Sequence, residues 1–331
     1  MENRQTRYGW LDVFKAISIF FVIYYHLDSN RFTAYLNAFI VQPFFFASGV
    51  TAAKSRHMPL PRFAAKRFGQ IMVPYFFYGV LAMVVKFFTE SASIGLMVRQ
   101  LLTGRRNDLF AVTLWFLPCL FVMSIFYHLL VRKVENRAVR AAIAGGISFV
   151  FRLFSEGNML PWGVDNAIRF LVYYALGDFT GDWFSRAEQK EKPRQTVIFL
   201  VGAIGGVITF IHYKRGFTAF IDLLGIPQVY LALFMSLFLC ACGAIAFYGA
   251  LAVLLCRCRL LQTVGRASLG ICCLQTVADK LFYGALALFN ISFVADSTPK
   301  ILLLTVILIG LSVAADMAAR RFLPFVYGRK K

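Results

Sequence analysis

Three side chains near the start of the chain are of types and at spacings that suit chemistry: Asp12, Lys15 and His26, within the stretch DVFKAISIFFVIYYH. On an α-helix each residue turns about 100° and rises about 1.5 Å, so Lys15 and His26 differ by about 20° in direction and about 16 Å in height. Asp12 lies about 40° off the same line. The three therefore form one polar stripe on an otherwise apolar helix. An imidazole exchanges a proton near neutral pH, a lysine holds anions, and an aspartate three residues before a lysine pairs with it. Ionisable groups within a span are costly and usually face a bundle interior or a water-filled cavity. The competing structural reading is an ion pair with the lysine snorkelling to the headgroups and an interfacial histidine.

The elements that must position this stripe are membrane helices. Of 331 residues, 59% are hydrophobic and only 15% charged, with 36 Phe, and the apolar blocks approach the ~20 residues that a hydrocarbon core demands of a helix. Barrel strands of about ten alternating residues do not fit. The blocks predict an all-α, polytopic membrane helix bundle with about ten transmembrane helices, at roughly 10–27, 37–53, 71–88, 112–131, 138–153, 166–184, 195–213, 229–255, 267–289 and 299–319. The fifth is short and rich in Ala and Gly, and the eighth is long enough to need a tilt or a break. The whole of 1–331 reads as a single integral membrane domain, without a cleavable leader, since the first apolar block is long and carries Lys15.

Charge gives an independent check. With the N-terminus inside, inside segments hold 23 of the 35 Lys and Arg residues, outside loops hold about 8, and Lys15, Lys86, Arg169 and Lys280 lie within spans. Cations accumulate on the cytoplasmic side, so both termini are expected to be cytoplasmic. Deleting the fifth span would reverse every later loop and largely erase the bias. The net charge of +19 is thereby explained by orientation, and no basic domain for nucleic acid is seen. The seven cysteines sit in or beside apolar blocks and lack the paired spacing of a zinc site. Outside, the loop 89–111 has apolar residues at 94, 96, 97, 101 and 102 that suit a short interfacial helix, and 213–228 mixes charge and apolar residues in the same way.

The stretch RYGWLDVFKAISIFFVIYYH (7–26) resembles the opening of the acyltransferase 3 family, integral membrane O-acyltransferases of surface polysaccharides. QPFFFASGV (42–50), FAAKRFGQIMVPYF (63–76), Trp115–Pro118, LPWGVDNAIRFLVYYALG (160–177) and VGRASLGICCLQ (264–275) resemble later segments of that family, in order. In three places the chain departs from the family pattern: Lys15 stands where many members have Arg, Gln70 where a second Arg often follows Arg67, and Gln275 where many have His. Lysine keeps the charge but loses the bidentate fork.

The resemblance implies a sugar O-acetylase-like enzyme of the bacterial inner membrane, moving an acetyl or similar short acyl group from cytoplasmic acyl-CoA to a hydroxyl of a glycan or lipid-linked saccharide. Acetyl-CoA enters as donor substrate, no permanent cofactor or metal is expected, membrane lipids surround the chain, and a homo-oligomer is left open. In that scheme His26 serves as the base, or as an acyl-imidazole carrier, with Asp12 and Lys15 beneath it. Lys15, Ser48, Lys66 and Arg67 are the candidates for holding the donor. For Ser48 with Gly49 the favoured reading is close helix packing, with donation to the donor arm as the alternative, and orientation alone demands cations in the loop that precedes Lys66. Trp115, Arg169, Asp165 and Asp28 are the acceptor candidates, Asp28 as an orienter of His26 if the helix ends there. The rival reading is a glycan or lipid transporter or flippase that uses His26 and the Asp12/Lys15 pair as a proton relay.

Overall fold

The computed structural model describes residues 8–27, 30–90, 93–155, 160–189, 191–216, 229–291 and 293–328. Among them every regular element is helical. In chain order these are α1 (Gly9–Leu27), α2 (Arg31–Leu36), α3 (Gln42–Gly49), α4 (Leu60–Glu90), α5 (Ile94–Thr103), α6 (Phe116–Lys133), α7 (Arg137–Phe154), α8 (Val164–Arg169), α9 (Leu171–Glu188), α10 (Lys192–Arg215), α11 (Val229–Leu254), α12 (Arg259–Leu288) and α13 (Thr298–Phe322). Short 3₁₀ turns precede α6 (Val112–Trp115) and α8 (Pro161–Gly163) and follow α13 (Pro324–Tyr327).

Among the described residues, seven helices are long and apolar enough to cross a membrane: α1, α4, α6, α10, α11, α12 and α13. The outward residues of α10 are themselves apolar, with Leu200, Ile204, Val207 and Phe210 each about 60% exposed, an arrangement that only a hydrocarbon surround makes favourable. The chain is a multi-pass membrane protein. The other three expected spans are helical in a different form. The second, expected at 37–53, is broken. Pro43 has no N–H to donate and so starts α3, while the Gln42 amide closes the turn before it by bonding Ala38 O and the Val41 N–H. The fifth, α7, has 18 residues but carries Arg137, Arg140 and Arg152. The sixth is interrupted at Phe170, between α8 and α9, where Ser148 of α7 accepts from the Val172 N–H at 3.1 Å and donates to the Ile168 carbonyl at 2.9 Å. The long eighth span runs unbroken as α11.

Two expected boundaries move. The third span begins at Leu60, not 71, and passes through a π-helical segment at Phe68–Met72. Pro74 lies just beyond that segment and cannot bond the Gln70 carbonyl four residues back, so the wider turn takes up the lost bond. The ninth begins at Arg259 rather than 267, which moves Arg266 from a loop onto a helix. The interfacial helix expected in 89–111 is α5, with Met97 and Leu101 buried and a left-handed Gly104 ending it. Most of the second loop, 217–228, lies outside the described residues.

The chain divides into two compact units. The first comprises 1–50 and 176–266. Its helices α10 and α11 pack along small residues: a Cβ at Gly205 would strike the Gly243 carbonyl, and one at Gly202 the Ala250 side chain, so glycine permits the close approach. Within this unit α1 packs on α3 and α11. The second unit comprises 51–175 and 267–331. In it α6 packs on α4 and α8, and α7 on α8. Two lysines within spans find a partner here, since Lys280 and Lys86 both reach Glu90, at 2.6 and 3.1 Å.

Candidate active site

In the first unit the N-terminal turns of α1 are fixed from two sides. The Gly9 N–H donates to Glu188 of α9 at 2.9 Å, and the Trp10 indole stacks on Phe184 with centroids 4.9 Å apart and donates to Ser185. From the other side α12 comes so close that a Cβ on Gly265 would overlap the Asp12 carbonyl oxygen. The next residue, Arg266, reaches Asp12 Oδ2 with its Nε at 3.4 Å, and the Gln262 side chain accepts from its Nη2 at 3.1 Å.

Asp12 is 3% exposed and also accepts from Lys15 at 3.2 Å. One buried carboxylate is thus shared by two partly exposed cations, Lys15 at 28% and Arg266 at 48% side-chain exposure. Sequence spacing finds the Asp12–Lys15 pair. It does not find Arg266, although that residue sits inside the quoted VGRASLG segment, because the contact spans 254 positions.

Between Lys15 and His26 the same helical face carries Ile19 and Val22, within about 40° of the line. Both are buried, so the middle of the stripe is turned to protein rather than to lipid. His26 closes the stripe with an exposed side chain. Its Nδ1 lies 2.7 Å from the Val22 carbonyl oxygen, and its ring meets Tyr25 edge to face. A carbonyl oxygen can only accept, so Nδ1 carries the hydrogen, and in the neutral ring Nε2 is then the basic nitrogen. Asp28, the expected orienter of this ring, lies outside the described residues. Ser48 is half-buried on α3, its hydroxyl donating to the Phe44 carbonyl at 2.9 Å; α3 is held against α9, where Cβ atoms on Gly177 and Gly181 would strike Phe46 and Val50.

A further feature of this unit is an open cavity of about 470 Å³ whose lining is almost wholly aromatic and aliphatic, including Phe21, Phe32, Tyr35, Phe210, Phe247 and Tyr248. It lies beside the C-terminal half of α1.

The second unit holds the other candidates in two places. Lys66 and Arg67 end the first stretch of α4, just before the π segment. Lys66 is exposed, whereas Arg67 is half-buried with Nη2 3.5 Å from the Tyr174 hydroxyl. Burial leaves Arg67 Nε without a partner among the described residues. The second place gathers Trp115, Asp165 and Arg169. The Arg106 guanidinium lies 4.5 Å over the Trp115 ring, and Trp115 is 5% exposed. Asp165 accepts from the Asn166 N–H at 2.9 Å. Arg169 donates to the Ser155 carbonyl at 3.1 Å and is within electrostatic range of Asp165, Arg106 and Arg152. The cluster is therefore basic with one buried carboxylate, beside an aromatic face. The turn Val112–Trp115, of which Thr113, Leu114 and Trp115 are buried, places Trp115 beneath Arg106.

A family model described as an acyltransferase domain, acyltransferase 3, matches residues 8–317, nearly the whole chain. No match was found among curated proteins or among solved structures.

Proposed function

The chain belongs to the acyltransferase 3 family, and on that premise we propose that this membrane acyltransferase moves an acetyl or similar short acyl group from cytoplasmic acyl-CoA to a hydroxyl of a cell-surface or lipid-linked glycan, in a bacterial inner membrane. The observation that carries the reading is the His26 ring: with Nδ1–H committed to the Val22 carbonyl, Nε2 is the nitrogen left to take a proton.

In the reaction the acceptor hydroxyl gives its proton to His26 Nε2 as its oxygen attacks the thioester carbonyl. The carbon–oxygen bond forms, the carbon–sulfur bond breaks, and the proton passes from His26 to the departing CoA sulfur. Lys15, together with Arg266, offers positive charge for the donor's phosphates, and Lys66, Arg67 and Ser48 are further donor contacts. Asp12 holds the Lys15 and Arg266 cations in place. Trp115 supplies a ring face for a sugar and Arg169 a cation for an acidic one, with Asp165 beside it. Charge bias along the sequence supports an orientation with Lys15 inside and His26 near the outer face, so that donor and acceptor approach the stripe from opposite sides.

The test is transfer of radiolabel from acetyl-CoA to glycan in membranes that contain the protein or its His26→Ala variant. Label in the first and none in the second, at equal abundance, is the expected outcome. Labelled glycan with His26→Ala would remove the base assignment, and glycan movement without any labelling would favour a transporter.

A further inference from the structure

Among the buried polar atoms of the second unit that have no hydrogen-bond partner among the described residues and no part in the reaction outlined above are Thr113 Oγ1 and Gln275 Oε1. Thr113 is 6% exposed and Gln275 5%. They come from different elements, the 3₁₀ turn Val112–Trp115 and helix α12, and these elements touch, with the Cys272 thiol 3.8 Å from the Thr113 carbonyl oxygen. Gln275 follows Cys272 by three residues, about 60° round the helix and about 4.5 Å along it. Thr113 and Gln275 therefore belong to two elements in contact, with Gln275 about one helical turn from the touching Cys272. Two residues beyond Thr113 is Trp115, beneath the Arg106 guanidinium.

Buried polar groups are nearly always satisfied, and at membrane depth there is little bulk water to satisfy them. Two unsatisfied groups at one junction mark a place prepared for a polar ligand. Their chemistry narrows its class. A glutamine amide oxygen only accepts, and a threonine hydroxyl both donates and accepts. A ligand hydroxyl meets both demands at once, donating to Gln275 Oε1 and accepting from Thr113 Oγ1. Were the amide turned over, its N–H would donate to the same hydroxyl.

We propose that Thr113 and Gln275 bind a hydroxyl of the acceptor sugar and set which acceptors are used. This assignment rests on the glycan-acceptor reading given above. It differs from the base assignment in needing no proton transfer, because both side chains act only by hydrogen bonding.

The experiment uses the detergent-solubilised full chain, radiolabelled acetyl-CoA and a panel of octyl glycosides, with the near-isosteric variants Gln275→Leu and Thr113→Val. For a glycoside that the unmodified protein acylates, each variant is expected to raise the acceptor KM at least tenfold and to leave the donor KM within twofold. Gln275→His, which supplies a ring nitrogen able to donate or accept, is expected to retain part of that affinity. An acceptor KM within twofold of the unmodified protein, or a rise confined to the donor KM, overturns the assignment while leaving the glycan reading intact. Should Gln275→Leu fail to accumulate, Thr113→Val decides alone. Acylation of no glycoside by the unmodified protein overturns the glycan reading and this site with it.

Discussion

The Nδ1–H of His26 donates to the carbonyl oxygen of Val22, one turn earlier on the same helix, at 2.7 Å. That bond holds the neutral ring in one tautomer and leaves Nε2 as the nitrogen able to accept a proton. Removing the ring by His26→Ala should lower the rate of acyl transfer by a factor of about 10² to 10⁴, the usual worth of a positioned general base. Because His26 is exposed and makes one hydrogen bond among the described residues, the same change should leave the amount of protein in the membrane unaltered. Quantitative immunoblotting beside the transfer assay checks both, and a loss of protein that matches the loss of activity would count against the assignment.

Asp12 carries the pairing of both Lys15 and Arg266. Asp12→Asn keeps the shape but leaves two cations facing a neutral amide, and should destabilise the protein by about 1–3 kcal/mol, the range for an uncompensated buried polar interaction. Lys15→Arg retains the charge and should retain function, whereas Lys15→Ala should raise the acyl-CoA KM. A thermal-unfolding series in detergent, with donor titrations, separates the two effects. An unchanged donor KM in Lys15→Ala would remove Lys15 from the donor site.

Close helix contacts predict a graded glycine series. Gly265→Ala places a methyl group against the Asp12 backbone and Gly177→Ala against that of Phe46, and backbone cannot swing aside as a flexible side chain can. Both should reduce accumulation of folded protein. Gly95 and Gly146 have nothing within 4 Å of an added Cβ, so Gly146→Ala within α7 should be neutral or stabilising by up to about 1 kcal/mol. Size-exclusion profiles of the variants check the order.

Glu188 gives a pH signature. Burial pushes its carboxyl up from the ordinary range, only partly opposed by the N–H groups of Gly9 and Trp10. A carboxyl raised in the folded state holds its proton more tightly folded than unfolded. Its contribution to stability is therefore fully present below the unfolded pKa of about 4.3 and is lost as pH rises through the raised folded value. The difference in Tm between the unmodified protein and Glu188→Gln should shift against the unmodified protein across that window and level off above it. A difference independent of pH would show that the carboxyl is not perturbed.

Much of the fold is legible in the sequence because a bilayer imposes length and composition on each helix separately. The seven long apolar spans, the short helix α5 and the face shared by Asp12, Lys15 and His26 all follow from composition, spacing and the 100° turn. The same local rules miss the break at Phe170 and the division of the second span. The first is stabilised by Ser148 from another helix and the second begins at a proline that a hydropathy block does not see. They also miss Arg266 on Asp12, Arg106 on Trp115, and the junction of Thr113 with the Gln275 helix. These are contacts between residues from nine to more than two hundred positions apart. Periodicity records which face of a helix a residue occupies, but only tertiary packing decides what that face meets, because burial and hydrogen-bond satisfaction are properties of neighbours in space and not of order along the chain.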